Sequence, residues 1–211
     1  MMMKNSDWSY FSAECNLDQA VPRAWPPNIH PLKECEKDEV SKKRPIFTIG
    51  HSNKKTEEII SWLKKNDVEV LVDVRSVPYS QHVPQANREE MQLASKNVDI
   101  KYVFMGEQLG GRPADVEVKD NLGNYDYSEL AATDKFREGL KRLLKGAEEY
   151  TVCILCSEED PVKCHRGLLI SRELAKQGIE VRHIRHDGSI ETQEHFESRI
   201  QPVQLGLFSE K

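Results

Sequence analysis

Between Pro45 and Ile200, short apolar runs alternate with longer stretches of helical period. Ile46–Ile49 is a short strand-like run closed by Gly50, and Val68–Val74 is a second run that is nearly all apolar. A continuous apolar run of this length suits a strand covered on both faces, as in a parallel sheet. Ile100–Met105, Tyr150–Cys156 and Glu180–Arg185 bring the expected strands to five. Helices are expected between them. One is capped by Thr56, with Glu57 and Glu58 in its first turn and a stripe of Ile59, Ile60 and Leu63. Others cover Arg88–Lys96, about Glu129–Glu149 with a stripe of Phe136, Leu140, Leu143, Leu144 and Ala147, and about Cys164–Gln177, stopped by Gly178. Thr192 caps a last one that ends near Ile200. Strands alternating with helices predict right-handed crossovers and a parallel sheet. The expected fold is α/β, a three-layer α/β/α sandwich around a mostly parallel, Rossmann-like sheet.

Outside this region the periodicity disappears. Residues 1–44 carry Pro22, Pro26, Pro27 and Pro31 and a charged run from Lys33 to Arg44, so an irregular extension is expected. Trp8, Tyr10, Phe11 and Trp25 are the side chains by which it is expected to dock on the domain. Residues 110–128 are rich in Gly, Asp and Asn and read as a long loop. The three segments are therefore 1–44, the domain at 45–200, and a tail at 201–211.

The chain of 211 residues has a net charge of −5, which excludes a globally basic nucleic-acid binder but not a local basic site. No apolar run approaches the roughly 18 residues of a membrane helix. Met1–Tyr10 lacks the layout of a secretory signal, so a cytoplasmic protein with no membrane partner is expected. Five cysteines in such a chain predict reduced thiols rather than a disulfide framework.

In an open parallel sheet, ligands sit beyond the carboxyl ends of the strands. Here those ends carry Gly50-His51-Ser52, Asp73-Val74-Arg75, Gly110-Gly111-Arg112, Cys156-Ser157-Glu158 with Cys164-His165-Arg166, and His186-Asp187-Gly188. Arg75, Arg112 and Arg166 supply forked donors that match phosphate or carboxylate. Gly110 and Gly111 let backbone approach a ligand closely, and Cys164 opens a helix whose free amides attract anions. Ser52, Asp73 and Asp187 complete the ligand-binding set. His51, Glu158 and His165 are the acid/base candidates, and Cys156 is the candidate nucleophile. Each of these residues also has a plain structural reading, as a loop support or as one half of an ion pair.

Cys153, Cys156, Cys164 and His165 are enough ligands for zinc. Cys153 and Cys156, however, lie three apart on one strand and face opposite ways. No metal is therefore expected, and the sequence names no cofactor. Cys164, at a helix start beside His165, has the surroundings of a lowered thiol pKa.

Five motifs, in order, resemble domain-of-unknown-function family 488. They are Thr48–Ser52, Val72–Pro78, Leu109–Pro113, Cys156–Pro161 with Cys164–Arg166, and His183–Ile184 with Asp187–Gly188. The likeness covers roughly residues 45–200. It implies a Rossmann-like domain and brings no established reaction. Ala86 stands where the family pattern has an aromatic, so no stacking role is expected there. Leu71–Arg75 and His82–Asn87 are more weakly similar to rhodanese-type sulfurtransferases, in which Cys156 would carry a persulfide. The acidic run Glu158-Glu159-Asp160 argues against that reading. Gln204, Leu205, Leu207 and Phe208 resemble the short peptide by which bacterial repair proteins dock on the sliding clamp. The same side chains could instead fold back onto the domain. The leading expectation is a domain for a phosphorylated ligand, a nucleotide or nucleic acid, recruited to the clamp by its tail. The alternatives are a sulfurtransferase using Cys156 and a non-enzymatic adaptor.

Overall fold

The structure is a computed structural model that describes residues 44–112 and 126–205, the last five by their backbone alone. Trp8, Tyr10, Phe11, Trp25 and the extension that holds them lie outside the described residues, as do Leu207 and Phe208.

In chain order the elements are β1 (Ile46–Gly50), α1 (Thr56–Lys65), β2 (Val70–Asp73), α2 (Arg88–Lys96), β3 (Lys101–Phe104) and α3 (Gly106–Leu109). They continue with α4 (Tyr127–Ala132), α5 (Asp134–Glu149), β4 (Val152–Cys156), a π-helical stretch Arg166–Ser171 running into α6 (Arg172–Lys176), β5 (Val181–Ile184), β6 (Ile190–Thr192) and α7 (Gln193–Leu205). The sheet order is β3-β2-β4-β1-β5-β6, parallel except for β6, which pairs antiparallel with β5. This is the expected α/β sandwich with a mostly parallel sheet.

Strand side chains alternate between two cores, as the period of two requires. Val70, Val72, Val152, Ile154 and Cys156 face one core with Phe136, Leu140 and Leu143 of α5 and Leu169 and Ile170 of the π stretch. Phe47, Ile49, Leu71, Cys153 and Leu155 face the other, against Ile59, Ile60 and Leu63 of α1 and Met91 of α2. The helices after β1 and β2 therefore cover one face, and those after β3 and β4 the other. Neighbours β2 and β4 send their connections to opposite faces, which opens a crevice between their carboxyl ends.

Several boundaries differ from the sequence reading. The expected helix over Glu129–Glu149 is two helices, because Thr133 accepts from the Phe136 amide and starts α5 anew. Lys55, not Thr56, is the N-cap of α1, and the Thr56 hydroxyl donates instead to the Gln85 carbonyl. Strand β6 was not expected. It forms because the Asp187–Gly188 turn folds the chain back onto β5. Gly178 does hold the left-handed conformation, at φ 73°. Helix α7 continues to Leu205, so the backbone of Gln204 and Leu205 is helical rather than part of an irregular tail. No helix among the described residues is long and apolar enough to cross a membrane.

Phe136 is 1% exposed and anchors α5 on the sheet. Phe136→Ala is expected to lower unfolding free energy by about 3–5 kcal/mol in urea titration. A loss below about 1 kcal/mol would show that α5 is not held by this contact.

Candidate functional site

The crevice between β2 and β4 holds a pocket of about 270 Å³, bordered by Arg75, Ser76, Gly111, Arg112, Cys156, Glu158, Lys163, Cys164 and His165 among others. Three larger grooves, of about 810, 860 and 370 Å³, lie elsewhere among the described residues. None of them is lined by a cysteine or histidine, so the chemistry collects in the crevice pocket.

Its walls are built from buried charge. Asp73 ends β2 with no solvent exposure. Its carboxylate accepts from the Arg75 backbone amide at 3.0 Å, from the Arg75 guanidinium at 2.5 Å and from the Tyr102 hydroxyl at 2.6 Å. Arg75 also donates to the Ala86 carbonyl at 2.8 Å and to His51 Nε2 at 3.1 Å. His51 donates from Nδ1 to the Ser52 carbonyl at 2.7 Å, so both of its ring nitrogens are engaged. Burial, and then the Arg75 charge, lower the His51 pKa to about 4. These three residues, expected to bind or act on a ligand, form one internal network, and His51 and Asp73 do not line the pocket. Asp187 accepts from Ser189 in the β5–β6 turn and also lies outside it. Ser52 donates its amide to the Ser157 carbonyl at 2.7 Å, tying the ends of β1 and β4 together.

Arg166 is fully buried at the start of the helix after β4. It donates to the Glu158 carbonyl, to the Glu159 carbonyl at 2.7 Å and to Thr48 Oγ1 at 3.4 Å. An arginine expected to clamp an anion here holds the 157–165 loop. Gly50 belongs to the same device, since a Cβ there would sit 1.7 Å from the Glu158 carbonyl oxygen. The expected close approach of Gly110 and Gly111 is likewise to protein. A Cβ on Gly111 would lie 2.5 Å from His165 Cγ, so the backbone packs closely against the imidazole.

The acidic run does not face the thiols as a block. Glu159 and Asp160 turn to Arg185, and Asp160 also to Arg199 at 2.8 Å. Glu158 alone of the three borders the pocket. Its acidity is thus a weaker objection to thiolate chemistry than the sequence suggested.

Cys153 does face the opposite core, as expected. The expectation of no metal rested on that pair alone, and the loop brings a different set together. Cys156, Cys164 and His165 present ligand atoms all within 4.8 Å of one another. His165 Nδ1 lies 3.5 Å from Cys156 Sγ and 4.0 Å from Cys164 Sγ. His165 Nε2 is 3.1 Å from the Val74 carbonyl, an acceptor that obliges Nε2 to carry the proton. Nδ1 is therefore the ring nitrogen that faces both sulfurs. The Cys164 thiol is pushed down by the hydrogen bond from Cys156, then by His165 and the Arg166 charge. Cys156 is pushed up by the same hydrogen bond and by burial. Of the two, the pull toward thiolate falls on Cys164, the thiol whose place at a helix start beside His165 favours it.

Arg112 is the one expected arginine that is exposed at the opening, its amide donating to Ser76 Oγ at 3.0 Å. Sequence reasoning passed over Lys163, Ser76 and Tyr127, which also border the pocket. Lys163 carried a signal, as the residue before Cys164 in a segment already singled out. Tyr127 carried none, because it arrives from a separate helix.

Two predictions follow from these contacts. Arg166→Met leaves two carbonyls without their donors and is expected to destabilise by on the order of 3 kcal/mol, read by urea unfolding. A wild-type midpoint would count against the staple. His183, also buried, accepts or donates at Thr48 Oγ1 at 2.8 Å, and burial and then Arg166 lower its pKa to about 4. Below pH 6.5 the unfolded chain takes up protons at His51 and His183 that the folded chain refuses. Stability is full above pH 6.5 and falls toward pH 5, by up to roughly 1.4 kcal/mol per pH unit for each histidine. Stability that stays flat from pH 7 to pH 5 would contradict this.

A search of curated proteins and one of solved structures each returned no match. The family model described as domain of unknown function DUF488 matches residues 55–172, more than half of the chain. That span contains the β2 end, the Gly110–Arg112 turn and the whole Cys156–Arg166 segment, and leaves out the β1 and β5 ends. The chain belongs to the DUF488 family.

Proposed function

We propose that the strand-end pocket binds a small anionic ligand of phosphorylated type, a nucleotide or a nucleic-acid terminus. The observation that carries this reading is the division among the cations. Arg75 and Arg166 are consumed in building the walls, while Arg112 and Lys163 border the opening with exposed side chains. A guanidinium at an open pocket matches a phosphate with two parallel donors, and an ammonium beside it adds charge without fixed direction. The volume of about 270 Å³ suits a phosphate with an attached sugar better than an extended dinucleotide. Glu158 is then the group placed to exchange a proton with the bound ligand, since His51 has both nitrogens engaged.

A sulfurtransferase reading draws on His165 Nδ1 lying 3.5 Å from Cys156 Sγ. It requires a sulfur donor and a persulfide on Cys156, and full sulfur transfer by Cys156→Ser would end it.

Equilibrium dialysis against nucleoside monophosphates and inorganic phosphate tests the leading reading. Arg112→Ala is expected to weaken binding roughly tenfold or more, the loss of one charge-assisted contact. Arg112→Ala with Lys163→Ala is expected to abolish it. Unchanged affinity in the double variant would remove the anion from this pocket.

A further inference from the structure

The three side chains on the pocket floor form a group that anion binding does not use. Cys156 ends β4, and Cys164 and His165 return to it across the loop held by Arg166. A zinc ion with Zn–S near 2.3 Å and Zn–N near 2.0–2.1 Å in tetrahedral geometry sets S···N separations of about 3.5 Å and S···S of about 3.8 Å. The two S···N distances here are 3.5 and 4.0 Å, and all three ligand atoms lie within 4.8 Å. Small rotations of the side chains would close the remainder.

Two further features point the same way. His165 donates its other ring nitrogen to the Val74 carbonyl, the kind of outer contact that fixes tautomer and ring direction in metal-bound histidines. The backbone of Gly111 packs closely against that ring and leaves it little room to turn. The ligand set is thus preorganised from behind as well as converging in front. Two thiolates and an imidazole select zinc over hard cations such as magnesium or calcium.

We propose that Cys156, Cys164 and His165 bind a zinc-class divalent ion, with the fourth position open to the pocket. All three ligands border that pocket, so the remaining tetrahedral direction leads into it. This is the arrangement of a catalytic rather than a closed structural site. Binding replaces the two thiol protons, which leave to solvent, and needs no change of oxidation state. The metal site stands apart from the anion reading and survives its failure.

The test uses the full chain, purified reduced, stripped with chelator and titrated with Co²⁺ as the probe. One Co²⁺ per chain is expected, with thiolate-to-cobalt charge transfer in the near ultraviolet and strong visible bands of four-coordinate cobalt, displaced by Zn²⁺. Cys164→Ser and His165→Gln are expected to lose the stoichiometry and the bands. Cys153→Ser, on the same strand but the other face, is expected to keep them, as is Cys15→Ser with Cys35→Ser. Arg112→Ala is expected to keep cobalt while losing phosphate affinity, which separates the two proposals. Added azide is expected to shift the visible bands through the open position. Folded, fully reduced protein that takes up no cobalt would overturn the site, as would charge transfer surviving in Cys164→Ser. Bands indifferent to azide would overturn the open fourth position.

Discussion

The guanidinium of Arg166 reaches back from the helix after β4 to two carbonyls of the loop it has just left, and to a hydroxyl on β1. A loop at the edge of a sheet gains little from burial, and ordering its backbone costs roughly 1–2 kcal/mol per residue. Hydrogen bonds from a charged donor in a dry interior are among the few local contacts strong enough to offset that cost. The loop's position decides where Cys164 and His165 arrive. Without the staple, the sulfur of Cys156 would face the crevice with nothing opposite it.

The rest of the edge is arranged around this fixed point. Gly50 lets the loop carbonyl pass where any Cβ would collide, and Gly111 lets a second turn lie against His165. The outer side of the loop is tied down by Glu159 and Asp160 through Arg185 and Arg199 to β5, β6 and α7. On the neighbouring strand, Asp73 and Arg75 form their own buried pair, with Tyr102 and His51 satisfying the remaining groups. A buried ion pair contributes little net stability, but removing one partner strands a charge. These pairs therefore specify geometry more than they add free energy.

The layers of the fold were legible because apolar runs and helical stripes are local signals. The opposite facing of Cys153 and Cys156 was legible for the same reason, since a strand's period is fixed. Composition also marked the carboxyl edge of the sheet, where the crevice pocket lies. It did not show which arginine does what. Arg75, Arg112 and Arg166 are alike as letters, and their roles differ by where five donors find acceptors, which depends on segments far apart in the chain. Arg166 meets Thr48, 118 positions away. The return of Cys164 to Cys156 was hidden in the same way, because a loop with a 3₁₀ turn has no period from which its closure can be read. Strand β6 escaped notice because three residues, Ile190–Thr192, are too few to establish alternation.

Arg166 also leaves a charge to account for. Among the described residues its hydrogen-bond acceptors are neutral oxygens, and none of the ion pairs among those residues involves this buried guanidinium. Burying a charge is expensive unless an opposite one lies near. The guanidinium acts on Cys164, whose thiol is drawn toward ionisation first by the hydrogen bond from Cys156 and also by the Arg166 charge. The staple that positions the loop thus also sets the electrostatics of the pocket floor. A positive charge fixed behind two sulfurs favours thiolate there, whether the thiolate meets a metal ion or a reacting ligand. One residue joins the two parts of the site: Arg166 ties the loop from within, and the same charge acts on the Cys164 sulfur that the loop brings in.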